Sequence, residues 1–207
     1  MPDLPLAHAG AAGFTQTKAN DMSTSDSNKG LSTFCNVSGF GLEDQSIMAQ
    51  IGPRIVPHLP ELTERFYEAL QRDPQTSPYI AGRLELLKKT HNDWMLDLFG
   101  GDYGEAFIGR QKRIGEIHVK VQVPPLFVAA SMSFLRSALP TVIMQNLGYG
   151  ETAESGVAAV LRLLDLCQYL IDSSYNAALM DNLGISPALL VRLQTVGSRP
   201  LSASRLQ

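Results

Sequence analysis

The chain has 207 residues, 44% hydrophobic and 18% charged, with a net charge of −3, which fits one globular domain with a sizeable core and a tail. No basic excess invites nucleic acid or an anionic membrane, no run of eighteen apolar residues marks a transmembrane helix, and the opening MPDLPLAHAGAAGFTQTK lacks a secretory pattern. Cys35 and Cys167 stand far apart, which argues against a disulfide framework and against a CxxC metal site, so the expected location is the cytoplasm.

Residues 1–40 are rich in Ser, Thr, Gly, Ala, Asp and Asn, and NDMSTSDSNKGLST buries too little to offset its ordering entropy. This reads as a flexible arm, with His8 solvated. The folded domain is expected over 41–183, and 184–207 as a mostly disordered tail with at most one more helical turn.

Order should begin near Phe40. Leu42, Ile47, Met48 and Ile51 have helical spacing, Glu43 and Asp44 suit a first turn, and Gly52-Pro53 should break the helix. A helix from Ile55 to Leu70 carries Ile55, Leu59, Leu62, Phe66 and Leu70 on one face, with Tyr67 beside them. Pro57 and Pro60 belong in its first turn or interrupt it, and His58 is a surface or capping residue. Asp73 to Pro78 reads as a loop. From Arg83 to Phe99 the apolar face holds Leu84, Leu87, Trp94, Met95 and Leu98, and one imidazole, His91. Gly100-Gly101 ends that helix.

Tyr103 to His118 continues helical. Ile114, Ile117, His118 and Val121 form its apolar stripe, opposite Arg110, Lys112, Arg113, Glu116 and Lys120. Pro124-Pro125 stops it and opens a helix to about Gln145, with Pro140 a kink or break. The last and longest helix runs from Thr152 to Asn182. Leu163 and Leu166 widen its stripe beyond one contact, so it meets either a second copy of the chain or two other helices. No strand signal of weight is present, and the fold class is all-α.

His118 alone reads either as a hydrogen-bonded core histidine or as a metal or haem ligand. His91, on the apolar face of another helix, changes the balance. Zinc wants three or four ligands at close range, and no CxxC or HxxxH is present. Haem needs one axial imidazole in an apolar pocket and accepts a second from across the ring, so it suits this sequence better.

Three pieces in order, LTERFYEAL (Leu62 to Leu70), LKKTHNDWMLDLFGGDY (Leu87 to Tyr103) and RQKRIGEIHVKVQVPP (Arg110 to Pro125), together resemble the globin domain of globin-coupled sensors, the branch that includes protoglobins. The resemblance covers about Gly41 to Asn182, and the histidine piece with its RIG is its most specific part. It implies a globin fold with an extra N-terminal helix, packed around haem b. His118 then matches the proximal iron ligand, and Tyr67 the distal tyrosine whose hydroxyl reaches the bound gas. Thr90 matches a distal threonine and Leu87 an apolar shield, while Phe66, Trp94 and Phe99 match pocket or core aromatics. Ile114, Val123 and Phe127 complete the expected cofactor contacts. The chain departs from the pattern at Val121-Gln122-Val123, where Ile-Gly-Leu is usual, and at Leu126-Phe127, where Trp-Tyr is common.

His91 stands where many members carry glutamine and some use a histidine as sixth ligand. It therefore reads as a second iron ligand, as a distal hydrogen-bond donor, or as a residue turned to solvent or to a backbone carbonyl. The resemblance implies a sensor of O2, NO, CO or redox state, with no catalytic residue. The chain is expected to form a homodimer through its C-terminal helices, and to be either a stand-alone sensor acting on a separate output protein or a piece of a larger sensor. The alternative is a haem enzyme (an NO dioxygenase, nitrite reductase or peroxidase-like activity) fed by an external electron donor.

Overall fold

The computed structural model describes residues 29–195, and among these every regular element is helical. A first helix, α1, spans 29–38. The segment expected as a flexible arm is thus helical at its end, while 1–28, His8 included, lie outside the described residues. Composition averaged over forty residues hid a local stripe: Leu31, Phe34, Cys35 and Ser38 are half-buried at spacings of three and four. A division into two compact units falls after Gly41.

The second unit holds α2 (Leu42–Ile55), a 3-10 turn (Val56–His58), α3 (Leu59–Arg72), α4 (Ser77–Ile80) and α5 (Leu84–Leu98). It continues with α6 (Glu105–Lys120), α7 (Pro125–Leu147), α8 (Glu151–Leu183) and α9 (Pro187–Thr195). α4 begins at the end of the expected loop and runs two residues past it, and α9 is longer than the single turn expected of the tail. Residues 196–207 lie outside the described residues.

Pro57 sits in the 3-10 turn and Pro60 in the first turn of α3, so the prolines split the helix expected from Ile55. His58 takes the cap position of α3, and its side chain makes no capping bond. Pro125 opens α7 as expected, because a first-turn residue has no N–H to lose.

Two prolines lie inside helices, Pro53 where a break was expected and Pro140 where a kink or break was expected. α2 runs through Pro53, and α7 runs through Pro140 to Leu147. Gly52 serves packing instead: a Cβ there would stand 2.8 Å from the Phe99 carbonyl oxygen, so α2 touches the end of α5 backbone to backbone. Gly101 closes the same contact, with φ of 75° and an implied Cβ 2.6 Å from that of Ala49. Around Pro140, buried Leu139, Val142 and Ile143 keep α7 in place.

α8 is the central element and packs against α2, α6 and α7. Its stripe is wide because three neighbours cover it: Val160, Leu163, Leu164, Leu166, Cys167 and Leu170 are all buried within one chain. The width therefore requires no second copy. At roughly 1.5–3 kcal/mol per buried large aliphatic side chain, this helix carries much of the favourable folding energy. Buried Asp44 of α2 accepts two bonds from Arg162 of α8, at 3.0 and 2.7 Å. α7 is long and apolar enough to cross a membrane by length and composition. Here its buried side faces the protein interior, and its Arg136 pairs with Asp165 of α8.

The face of α6 departs from the expected stripe. Ile117 is 51% exposed and Val121 36%, whereas Phe107, Gln111 and Gly115 are buried. The reason is the closeness of α8. A Cβ on Gly115 would lie 2.6 Å from Ser174 Oγ and 2.7 Å from the Ile171 carbonyl oxygen. Ser174 Oγ in turn donates to the Lys112 carbonyl at 3.1 Å.

Gly115→Ala should therefore destabilise the fold by about 1–3 kcal/mol, because the backbone facing the new methyl cannot yield cheaply. Gly109→Ala, which meets open space on the same helix, should be neutral or slightly stabilising. Thermal melts of the two variants beside the parent check the difference.

Candidate functional site

α5 lies on α3, and their contact builds an aromatic cage around His91. The imidazole stacks on Phe66 with ring centres 4.5 Å apart and planes 11° from parallel. Tyr67 meets it edge-on at 5.7 Å, and Trp94 lies at 5.6 Å. Phe66 also packs on Phe134 of α7, which fixes the cage from behind. One ring nitrogen, Nδ1, is 3.0 Å from the hydroxyl of Thr63, itself only 3% exposed. The other, Nε2, is buried and has no hydrogen-bond partner. An orphaned buried polar atom costs about 1–3 kcal/mol, so native proteins rarely leave one without a ligand or a task.

Tyr67 and Thr90, the two expected distal hydroxyls, converge on one acceptor. Both donate to the Leu87 carbonyl at 3.0 Å, although Thr90 is exposed and Tyr67 buried. Burial pushes the Tyr67 phenol up to about 12, so it keeps its proton. Leu87 itself packs against the cluster of Phe66, Tyr67 and Ile80. Phe99 is buried at the end of α5.

His118 occupies the last turn of α6. Its ring is half-buried, and its buried Nδ1 makes no hydrogen bond. Burial lowers its pKa. The Ile114 carbonyl, one turn back, pulls the other way, though its placement falls short of a hydrogen bond. The chain then turns sharply. Gln122 adopts φ of 58°, at the position where the family pattern has glycine, and Val123 N–H closes the turn onto the His118 carbonyl at 2.9 Å. The Val123 carbonyl accepts from Tyr175 of α8 at 2.7 Å. Phe127, just beyond, stands edge-on to Tyr79 at 5.4 Å.

The expected residues thus fall into two groups. Tyr67, Leu87, Thr90, His91 and Trp94 form one with α3 and α5. Ile114, His118, Val123 and Phe127 follow α6 into α7. His118 makes no hydrogen bond or ring contact with the His91 cage. The two groups are tied by Trp94 Nε1, which donates to Gln111 Oε1 at 2.9 Å, and by Arg110, which holds Asp97 with bonds of 2.8 and 2.7 Å. Beside these ties an open cleft of ≈ 920 Å³ separates α5 from α6, with Trp94 and Ile114 in its wall. Among the described residues no group of three His, Cys, Asp or Glu is placed to hold a bare metal ion.

Two residues of the site escaped sequence reasoning. Thr63 stands three and four positions before Phe66 and Tyr67, hence on their face. Gln111 is 0% exposed and stands two turns before His118. Position relative to the expected site residues was the available signal, and a polar residue on a helix gives no hydropathy cue.

Burial drives His91 from the usual histidine range down to about 4. The folded chain therefore resists a proton that the unfolded chain accepts near pH 6.5. Stability should fall as pH drops from about 6.5 to 4, by about 3 kcal/mol from this residue, and level off below. His118, shifted the same way, adds to the loss. Urea denaturation of the chain prepared without cofactor checks this, and His91→Phe should remove the larger part of the slope.

Among solved structures, the chain is similar to the globin domain of a Geobacter sulfurreducens globin-coupled sensor. The two are 27% identical with a TM-score of 0.65, over 70% of this chain and 96% of that one. It is also similar in fold to the globin domain of E. coli DosC. The ferric form I gives 20% identity and a TM-score of 0.57, over 62% of this chain and 89% of that one. The ferrous form II gives 20% and 0.56, over 61% and 87%. No curated protein matches the chain. The Protoglobin family model matches residues 28–181, a span that takes in α1 and ends near the end of α8. By that match and by its globin fold, the chain belongs to the protoglobin family.

Proposed function

We propose that this chain binds haem b and responds to a diatomic gas or to redox state, with His118 and His91 as the residues that would ligate its iron. The observation that carries this reading is the buried, unpartnered Nε2 of His91, on a ring held rigidly by stacking. A site built for iron leaves such a nitrogen free; a site built for packing would give it a hydrogen bond. The depressed pKa of His91 keeps the ring neutral at pH 7, the state a ligand nitrogen needs. Haem, when bound, supplies an iron that coordinates both imidazole and small diatomic molecules.

The residues that would hold it are His118, Ile114, Val123 and Phe127 on one side, and Leu87, His91 and Trp94 on the other. Because His91 competes with the gas, apparent gas affinity falls with the fraction of chains in which His91 is bound. Tyr67 and Thr90 give their hydroxyls to Leu87, so they stiffen the His91 side first and serve the gas only by breaking those bonds. On the other side, any shift of His118 is passed to α8 through Gly115, Ser174 and Tyr175. That route suits a sensor that passes a change at His118 on to an output domain or partner.

The ferrous protein should show sharp low-spin bands, and His91→Ala should make it high-spin and speed CO association by roughly tenfold to a hundredfold. His118→Ala should fail to retain haem through desalting. Absorption spectra of the ferric, ferrous and CO forms read all three outcomes. An unchanged spectrum in His91→Ala removes the second ligand, and full haem retention in His118→Ala removes the first.

The same reading includes a homodimer through the C-terminal helices. Its support is the exposed apolar surface of Leu179 and Leu183 on α8 and of Leu189, Val191 and Leu193 on α9. Sedimentation should give a dimer for the parent and a monomer for the Leu179→Glu, Leu183→Glu double variant.

A further inference from the structure

Thr63 is buried in the second turn of α3, and its hydroxyl lies 3.0 Å from His91 Nδ1. A neutral imidazole carries one proton, on Nδ1 or on Nε2, and the partner of one nitrogen decides the character of the other. If the Thr63 hydroxyl donates to a bare Nδ1, the proton sits on Nε2 and that nitrogen can only donate. If Thr63 accepts from Nδ1–H, then Nε2 presents a lone pair. Either tautomer leaves Nε2 buried without a protein partner, so iron decides: a bare Nε2 is what a metal requires, and that is the second arrangement. The stacking on Phe66 blocks one face of the ring, and the edge contact with Tyr67 and the nearby Trp94 restrict it further, so the ring cannot easily exchange its nitrogens by flipping.

Resting on the reading of His91 as an iron ligand, we infer that Thr63 is the positioning residue whose hydroxyl accepts a hydrogen bond from Nδ1–H of His91 and so aims a bare Nε2 at the iron. Its hydroxyl does two things. It fixes the tautomer, and by accepting a hydrogen bond it makes the ligating nitrogen more basic. Losses of such supporting partners weaken metal ligation about 10–100-fold.

The test uses the haem-loaded full chain and three variants, Thr63→Val, Thr63→Ser and His91→Ala. The readouts are the low-spin fraction of the ferrous spectrum and the rate of CO association, with haem content and a thermal melt as checks on folding. Thr63→Val keeps the shape and removes the hydroxyl. It should move the ferrous spectrum toward high spin and raise the CO rate about tenfold, within the range seen for lost supporting hydrogen bonds. Thr63→Ser keeps the hydroxyl and should behave as the parent. Equal spectra and CO rates for Thr63→Val and the parent, with His91→Ala altered, overturn the role of Thr63 while leaving His91 as ligand. A Thr63→Ser variant that folds, holds haem and yet matches Thr63→Val overturns it too, because the methyl and not the hydroxyl would then matter. If His91→Ala also leaves the spectrum unchanged, the ligand reading falls and the inference with it.

Discussion

The stacking of His91 on Phe66 is the contact on which the rest of the site depends. It brings α3 and α5 together through flat surfaces 4.5 Å apart, and it takes an imidazole out of water at a cost that shows in its low pKa. Thr63, Tyr67 and Trp94 then settle around a ring that cannot turn. Tyr67 crosses from α3 to the Leu87 carbonyl one turn before His91, so a second bond pins the same helix pair. The cage leaves Nε2 of His91 buried without a hydrogen-bond partner.

The second constraint is the closeness of α6 and α8. Gly115 removes the side chain that would separate them, and the Ser174 hydroxyl fills the gap with a bond to the α6 backbone. α8 is itself buried on three sides by α2, α6 and α7, so it cannot shift without disturbing the whole core. A displacement of α6 therefore has few soft neighbours to absorb it. Packed interiors transmit strain of this kind because they hold few voids.

Much of this was legible in the sequence. The spacing of Leu84, Leu87, His91, Trp94, Met95 and Leu98 placed His91 on the inner side of α5 because large apolar residues mark that side clearly. The same method failed on α6. It ranked Ile117 and Val121 as buried, since it weighs hydropathy and has no term for backbone approach. There the buried face is made by Gly115 and Gln111, residues that hydropathy scores as indifferent or polar. Pro53, read as a helix breaker, misled for a related reason. A missing N–H costs one helical hydrogen bond, and tertiary contacts on both sides outweigh it. The width of the α8 stripe was real, but a sequence does not say whether its cover comes from the same chain or another.

The turn after His118 shows how the two constraints meet. Gln122 holds a left-handed conformation that costs a side-chain-bearing residue roughly 1 kcal/mol and costs glycine almost nothing. The departure from the family's glycine is tolerated because the turn is held at both ends. Val123 N–H bonds back to the His118 carbonyl, and the Val123 carbonyl receives the Tyr175 hydroxyl from α8. Tyr175 keeps its proton, since burial pushes its pKa to about 12, and it remains a donor at any ordinary pH. The position of His118 is therefore set from α8 as much as from its own helix. Whatever moves His118 must either strain the Gln122 turn or carry α8 along, and α8 is the helix that leads on to α9 and the exposed leucines.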